Sequence, residues 1–213
     1  MNYDADYYER GLELGISGYS NYRWIPELTI PMAHHIVRHL GIDEMSHVLD
    51  FGAAKGYITK ALRLMGYNAW AYDISEYARE HADADVKSCF YAPDELFDTL
   101  FPVRDTFTHV IAKDVLEHVP YQSMNRTLQD IRETMKDDGL LYFLVPLATD
   151  GKYRVKFYER DVTHVIRKDE LWWITLMQQN GFEIVKWSHH FMGIKDNWAT
   201  HTDGNLQCIV KKT

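Results

Sequence analysis

The sequence predicts an α/β fold, a doubly wound sheet of mostly parallel strands. Three observations predict it: short β-type runs alternate with longer helical patterns, a glycine-containing turn follows the first buried run, and two strands without a helix between them come last. Parallel neighbours need a covering crossover, whereas strands joined by a loop can pair antiparallel. We therefore expect about seven strands, mostly parallel, with an antiparallel C-terminal strand.

The individual elements follow from apolar spacing and from turn residues. The predicted strands are His47–Phe51, Ala69–Tyr72, Val86–Phe90, Thr108–Ala112, Leu140–Val145, Gly181–Trp187 and Leu206–Val210. The predicted helices are Ile58–Met65, Ser75–His81, Ser123–Met135 and Lys168–Gln179, with a turn at 137–139 that stops the third of them. Residues 1–45 are expected to form a helical, aromatic lid, and residues 46–213 the main domain of a chain with a single domain overall.

The bulk composition predicts a globular protein that folds alone. The chain has 213 residues, of which 46% are hydrophobic and 25% charged, the usual balance of a globular domain. Its net charge of -8 disfavours a broad surface that binds phosphates, because nonspecific affinity for nucleic acid depends on lysine and arginine. We expect no nucleic-acid partner, while the oligomeric state stays open.

Features of targeting, redox chemistry and metal binding are weak in this sequence. The acidic, tyrosine-rich start resembles neither a signal nor a transit peptide, and the longest apolar runs are too short to span a bilayer, so a cytoplasmic location is expected. Cys89 and Cys208 lie in strand-like segments and are expected to be buried thiols. Adjacent histidines, as in the pairs 34–35 and 189–190, point apart, so no metal site is expected.

A turn suited to a nucleotide follows the first strand. The segment 48–56 leads from a buried run through Gly52 and Gly56 into a helix. Neither glycine has a Cβ, which lets the backbone turn tightly and approach a ligand, and Ala54 is small enough to preserve that approach. A turn that merely packs is the alternative, because such turns are common in α/β folds.

The second element is an acidic residue at the end of the next strand. Asp73 stands about twenty residues beyond the glycine turn, the placement at which a carboxylate accepts hydrogen bonds from ribose hydroxyls. Ser75 is expected to cap the following helix. For Asp73 the alternative is a solvated capping residue.

The third element, 110–120, leaves the carboxyl end of the fourth strand, the edge at which open α/β sheets bind ligands. Together with the segments 50–56 and 73–75, its Asp-Val-Leu-Glu-His-Val run at 114–119 resembles the class I, Rossmann-like methyltransferases that depend on S-adenosylmethionine and modify small molecules. The resemblance covers roughly 46–211. It implies S-adenosylmethionine as the cofactor and a small molecule, such as a sugar or quinone precursor, as the acceptor.

The resemblance also implies which residues contact the cofactor. Asp50, Gly52, Ala53, Ala54 and Gly56 correspond to the turn that holds the methionine part. Further along the chain, Asp73 would bind the ribose, Ile74 would pack on the adenine, and Ala112, Lys113 and Asp114 would line the floor near the sulfonium. The chain lacks the acidic residue that many relatives place beside the adenine amine, and Ser88 or Cys89 occupies that neighbourhood.

Two histidines are the candidate catalytic bases for a hydroxyl acceptor, because the pKa of histidine is near neutral pH. His118 follows the fourth strand, and His164 lies where this family admits its acceptor. The alternatives are a histidine in a capped turn and one that orders a loop. Tyrosines of the first 24 residues are expected to cover the cofactor or, alternatively, to attach an N-terminal helix to the sheet.

The acceptor is not determined by these motifs, because variable loops set it. The stretch Tyr153, Arg154, Lys156 and Arg160 is a candidate for binding a phosphate or carboxylate, with a solvated loop as the alternative. Two other functions stay open. One is a nicotinamide-dependent oxidoreductase, which the missing third glycine after Gly56 disfavours. The other is a noncatalytic partner subunit that binds the cofactor.

Overall fold

The computed structural model describes residues 3–97, 103–198 and 200–213. The strands are β1 (His47–Phe51), β2 (Asn68–Tyr72), β3 (Phe90–Tyr91), β4 (Phe107–Lys113), β5 (Met135–Pro146), β6 (Ala148–Thr149), β7 (Lys152–Tyr153), β8 (Phe182–Ser188) and β9 (Asn205–Lys212). The α-helices are α1 (Ala5–Glu9), α2 (Gly11–Leu14), α3 (Pro26–Leu40), α4 (Tyr57–Leu64), α5 (Glu76–Glu80), α6 (Ala84–Lys87), α7 (Pro93–Leu96), α8 (Tyr121–Thr134) and α9 (Glu170–Gln179).

Seven of these strands form one sheet in the order β3-β2-β1-β4-β5-β9-β8, while β6 and β7 form a small hairpin. Strands β1 to β5 pair in parallel, and β9 pairs antiparallel with both β5 and β8. The predicted fold class, including the antiparallel C-terminal strand, is confirmed. The carboxyl ends of β1, β2 and β4 lie side by side, which positions the segments that follow them at one edge.

Both faces of the sheet are buried, because successive side chains of a strand point to opposite faces. In β1, Leu49 and Phe51 join the apolar cluster that α8 and α9 cover, whereas Val48 joins the cluster covered by α3 and α4. In β4, Val110 joins the cluster under α8 and α9, and Ile111 joins the cluster under α3 and α4. The strands between the two layers therefore read as continuous apolar runs.

The N-terminal 45 residues contribute to two different regions. Helix α3 begins with Pro26 at its first position and ends at Gly41, whose φ is +68°. Its buried residues, among them Ile36 and Leu40, pack on the sheet as part of the covering layer. The segment before α3 carries a cluster of tyrosines that packs instead beside α5.

Two predicted elements differ in the structure. The strand predicted at Val86–Phe90 was wrong for most of its length: its first residues lie in α6, and only Phe90 belongs to β3. The backbone N–H groups of Val86 and Lys87 both donate to the carbonyl of Asp83, which winds this segment into a helical turn that still buries Val86. The chain also leaves α8 earlier than expected, because Met135 already pairs with β4.

The described residues contain no helix that is both long and apolar enough to cross a membrane.

Trp173 in α9 provides a test of this packing. Its side chain is fully buried against the sheet, and its indole Nε1 has no hydrogen-bond partner. We expect Trp173→Ala to lower the free energy of unfolding by about 3–5 kcal/mol, as for other large-to-small core substitutions. Trp173→Phe should cost much less, because it fills part of the space and removes the unpaired donor. Chemical denaturation of both variants measures the difference, and equal losses would contradict this account of the packing of Trp173.

Candidate functional site

The turn after β1 has a backbone that requires glycine at two positions. Gly52 and Gly56 have φ angles of +77° and +75°. A Cβ on Gly52 would lie 2.4 Å from the side chain of Val115, and one on Gly56 would lie 2.9 Å from the ring of Phe90. Ala54 also adopts a positive φ, of +51°. The sequence pattern of this turn therefore reflects close approach of neighbouring segments as well as backbone conformation.

The carboxylate of Asp73 joins this turn to the end of β2. One oxygen accepts from the backbone N–H of Ala54 at 2.7 Å, and the other accepts from the N–H of Ser75 at 2.7 Å. Ser75 caps α5, as predicted, with its hydroxyl accepting from Ala78 N at 3.0 Å. Burial raises the pKa of Asp73 despite these backbone donors. The carboxylate is thus fixed in orientation at the sheet edge.

Asp50 is the penultimate residue of β1, just before the turn, and its side chain is buried. Its carboxylate accepts from the backbone N–H and the hydroxyl of Thr59, at 3.2 and 3.0 Å. Burial raises the pKa of Asp50 to about 7, although the hydrogen bonds from Thr59 favour its ionised form. Asp50 therefore holds the first turn of α4 against β1.

A first cavity of about 300 Å³ opens at this edge of the sheet. On one side it is lined by the predicted residues Gly52, Ala54, Asp73, Ile74, Asp114 and His118, and on the other by the N-terminal tyrosines Tyr3, Tyr7, Tyr8 and Tyr19. Ile74 is 61% exposed and presents an apolar surface to this space. The surface of this lining is mostly apolar, with polar groups at defined positions, as in sites for small molecules and cofactors.

A second, larger cavity of about 610 Å³ lies beyond the end of β4. Among the residues that line it are Lys113, Glu117, His164, Tyr158, Lys195 and Trp198. Three residues line both cavities: Tyr19, Asp114 and His118. The two spaces therefore meet at one wall, which the chain builds from the exit of β4 and from the N-terminal segment.

Asp114 lies in this wall between two lysines. Its carboxylate oxygens accept from Lys113 Nζ at 2.6 Å and from Lys195 Nζ at 2.5 Å. Burial opposes ionisation of Asp114, but the two ammonium groups outweigh it and hold the pKa below its ordinary value. Lys195 was not predictable as a residue of this site, because it comes from the loop between β8 and β9 and has no motif around it.

The two candidate histidines lie against each other, with ring centroids 4.6 Å apart. His118 Nδ1 lies 2.6 Å from Thr163 Oγ1, and His164 Nδ1 lies 2.9 Å from the carbonyl oxygen of Tyr158. Burial lowers the pKa of His118 to about 4 and also lowers the pKa of His164. Both imidazoles are therefore neutral at neutral pH.

Glu117 lies beside the two histidines. It belongs to the segment 114–119, but no role was predicted for it from the sequence. Its side chain is fully buried, and neither carboxyl oxygen has a hydrogen-bond partner. Burial, with a further contribution from the charge of Asp114, raises the pKa of Glu117 well above its ordinary value. His164 Nε2 lies 4.0 Å from Glu117 Oε1.

The tyrosine-rich N-terminal segment is attached to the site by polar contacts. Lys55 Nζ donates to Glu9 at 2.6 Å, Ser75 Oγ donates to the carbonyl of Tyr3 at 2.5 Å, and Tyr7 donates to Asp161 at 2.8 Å. Its rings also contact one another, with edge-on and stacked geometries at Tyr7 and Tyr8. The segment therefore forms a fixed wall of the first cavity.

Several predicted contact residues lie away from both cavities. Neither cavity is lined by Asp50, Ala53, Gly56 or Cys89. Cys89 is buried, and its carbonyl accepts from Ala71 N at 2.9 Å. Lys113 lines the second cavity and His164 does so too, but neither lines the first. Phe97, which received no role in the sequence analysis, also lines the first cavity, and its ring centroid lies 5.0 Å from that of Tyr72.

The candidate anion-binding stretch is largely occupied by internal contacts. Arg154 donates to both carboxylate oxygens of Glu170, at 2.7 and 2.8 Å. Arg160 lies 5.2 Å from the ring centroid of Phe157.

The adjacent histidines 189 and 190 bind different carboxylates. The side chain of His189 lies 2.7 Å from Glu170, and that of His190 lies 2.8 Å from Asp196, so neither histidine faces its neighbour.

Comparison with known proteins decides the family. Residues 29–186 match the model of a family described as methyltransferase domain. The chain belongs to this family. The prediction of a class I methyltransferase that uses S-adenosylmethionine is confirmed, which excludes the oxidoreductase alternative. None of the curated protein sequences matches the chain.

Solved structures share the fold of this methyltransferase. A chain of the complex between the Haloferax volcanii Trm112 methyltransferase activator and a methyltransferase aligns with TM-score 0.66 and 17% identity, covering 87% of this chain and 91% of that one. A methyltransferase from Archaeoglobus fulgidus aligns with TM-score 0.65 and 14% identity, covering 84% of this chain and 92% of that one. A third structure is Burkholderia thailandensis 1,6-didemethyltoxoflavin-N1-methyltransferase with 1,6-didemethyltoxoflavin and S-adenosylhomocysteine bound. It aligns with TM-score 0.59 and 18% identity, covering 86% of this chain and 77% of that one.

The raised pKa of Asp50 predicts a specific pH dependence of stability. The folded state binds this proton more tightly than the unfolded state, so the contribution of Asp50 is full below its ordinary pKa of 3.8 and is lost as pH rises towards about 7. Asp50→Asn keeps an acceptor for Thr59 without a charge. Its thermal unfolding temperature should fall less than that of the unaltered protein between pH 4 and 7. The exposed Asp150→Asn is the control, and parallel profiles for Asp50→Asn and the unaltered protein would contradict the prediction.

Proposed function

We propose that this protein moves a methyl group from S-adenosylmethionine to a small-molecule acceptor, with the cofactor in the first cavity and the acceptor in the second. The observation that carries the proposal is the wall of Tyr19, Asp114 and His118 that the two cavities share. Methyl transfer is an in-line displacement, in which the attacking atom of the acceptor and the sulfur of the donor lie on opposite sides of the methyl carbon.

The first cavity has the chemistry that this cofactor requires. Asp73 offers a fixed carboxylate to ribose hydroxyls, and Ile74 offers an exposed apolar surface to an adenine ring. Gly52 keeps the backbone open where a Cβ would clash. We propose that Asp50, Ala53, Gly56 and Cys89 act indirectly, by holding the segments that make these contacts.

When bound, S-adenosylmethionine supplies a methyl group on a positively charged sulfur. The chain's own contribution is to orient both molecules and to exclude water, and no nucleophilic side chain is needed. Asp114 keeps its negative charge at the shared wall through its two lysines. We propose that the tyrosines before α3 cover the cofactor and present ring faces suited to a cation.

The second cavity favours an acceptor with a planar or aromatic part. The rings of Tyr158 and Trp198 stack at 5.1 Å, and the ammonium of Lys195 lies 5.1 Å from the centroid of the former. His118 and His164 are neutral and remain the candidate bases for a hydroxyl proton. A small metabolite fits this space better than a nucleic acid, given the net charge of -8.

We also propose a cytoplasmic location. Both cysteines are free, buried thiols, which is the usual state in a reducing compartment.

Binding of S-adenosylhomocysteine measured by isothermal titration calorimetry tests the cofactor site. The unaltered protein should bind it, and Asp73→Asn should weaken binding about tenfold to a hundredfold, because a charge-assisted hydrogen bond contributes about 1.5–3 kcal/mol. Glu76→Gln changes an exposed carboxylate in the first turn of α5 and should leave the affinity unchanged. Absence of binding at high micromolar concentration would reject the proposed function.

Trp198→Ala tests whether the first cavity holds the cofactor and the second cavity the acceptor. Trp198 lines only the second cavity. The substitution should therefore leave the affinity for S-adenosylhomocysteine within about twofold, because it removes no side chain from the first cavity. Methyl transfer from labelled S-adenosylmethionine to a pool of hydroxyl- and amine-bearing aromatic metabolites should fall. Loss of cofactor affinity in this variant would show that the second cavity is part of the cofactor site.

A further inference from the structure

Three side chains at the inner wall of the second cavity converge on one point. Among the described residues, the ligand-type atoms of Glu117, His118 and His164 all lie within 4.8 Å of one another. Atoms that bind one metal ion at about 2.0–2.2 Å lie no more than about 4.4 Å apart, so side-chain movements below about 1 Å would close this arrangement around an ion. All three residues line the second cavity.

The hydrogen bonds of the two imidazoles leave a nitrogen of each ring available. The carbonyl oxygen of Tyr158 can only accept, so His164 Nδ1 carries its proton and Nε2 keeps its lone pair. Thr163 Oγ1 donates to Asp161 at 2.5 Å and therefore accepts from His118 Nδ1. His118 consequently has the same tautomer. Carboxylate or carbonyl partners on the second nitrogen are the usual support of histidines that bind metals.

Glu117 provides the independent observation that a ligand belongs here. Its two carboxyl oxygens are completely buried without a hydrogen-bond partner. Buried polar groups are almost always paired, and an unpaired carboxyl group costs considerable free energy. Its backbone carbonyl accepts from Val165 N and Ile166 N, which fixes the residue in this position. A cation between the carboxylate and the two imidazoles would satisfy the group.

The surrounding charges permit a cation. Lys195 and Lys113 are positive groups whose charges act on Glu117, but both ammonium groups are bound to Asp114, at 2.5 and 2.6 Å. Asp161 adds a second carboxylate, with Oδ2 at 3.9 Å from His164 Nε2. Two imidazole nitrogens and a carboxylate oxygen are typical ligands of zinc and of similar transition metals rather than of magnesium or calcium.

We propose that Glu117, His118 and His164 form a binding site for one divalent transition-metal ion of the zinc type, whose remaining coordination position faces the second cavity and receives an oxygen of the methyl acceptor. The part that concerns the acceptor rests on the proposed function. Three protein ligands with an open position are typical of metal sites that bind substrates. The two histidines then act as ligands rather than as bases.

Equilibrium dialysis against Zn²⁺ followed by elemental analysis tests the site. The unaltered protein should retain one ion per chain, and Glu117→Gln and His164→Gln should each weaken binding at least a hundredfold. Thr163→Val removes the hydroxyl that orients His118 and should weaken binding about tenfold to a hundredfold. The matched control is the double variant Glu80→Gln with His81→Gln, which alters an exposed Glu-His dipeptide and should retain the ion.

The outcomes separate this inference from the proposed function. Glu117→Gln and His164→Gln should still bind S-adenosylhomocysteine like the unaltered protein, because neither residue lines the first cavity; this binding also shows that the variants fold. Zn²⁺ should raise the unfolding temperature of the unaltered protein and of the control but not of these two variants. Retention of the ion by Glu117→Gln, or no retention by the unaltered protein, would overturn the inference. Failure of the unaltered protein to bind S-adenosylhomocysteine would instead reject the proposed function.

Discussion

The carboxylate of Asp73 is the constraint on which the rest of the site depends. It joins the turn after β1 to Ser75, the N-cap of α5, and the carbonyl of Tyr72 reinforces this junction by accepting from Gly52 N and Ala53 N. The ends of two parallel strands are thereby held together by one short side chain and by backbone groups. A cavity can exist at this edge because backbone groups rather than bulky side chains form the junction.

The cavity wall also carries a buried charge arrangement that is costly to form. Taking ions out of water is unfavourable, and only close, well-oriented partners compensate for it. Asp114 meets this condition with two lysines, one adjacent in sequence and one from the loop before β9. Glu117, which is only three residues away, does not meet it. The contrast between these neighbours separates a group that stabilises the wall from one that is available for a ligand.

The sequence predicted the features that depend on local rules. The buried strands, the tight turn at Gly52 and Gly56 and the cap at Ser75 each follow from the chemistry of a few consecutive residues, and all three appear in the structure. Features that depend on distant segments were not predictable. Lys195 reaches Asp114 across 81 residues of sequence, and Lys55 reaches Glu9 across 46. Neither pair has a spacing that periodicity or propensity describes.

The same distinction explains the mistaken strand. Val86 is apolar and β-branched, so a local rule assigned it to a strand, yet it is buried equally well from α6. The helical turn is seen in the backbone hydrogen bonds of Val86 and Lys87 to Asp83, and composition alone does not reveal it. Similarly, the convergence of His164 with Glu117 and His118 needs the loop after β7 to fold back over the exit of β4.

The position of β9 within the sheet has a consequence for biosynthesis. β9 pairs with both β5 and β8, and β8 has no other strand partner among the described residues. During translation β8 therefore emerges before the strand that connects it to the sheet. The growing chain carries an unpaired strand until residues 205–212 leave the ribosome, and an unpaired strand is open to intermolecular pairing and to chaperones.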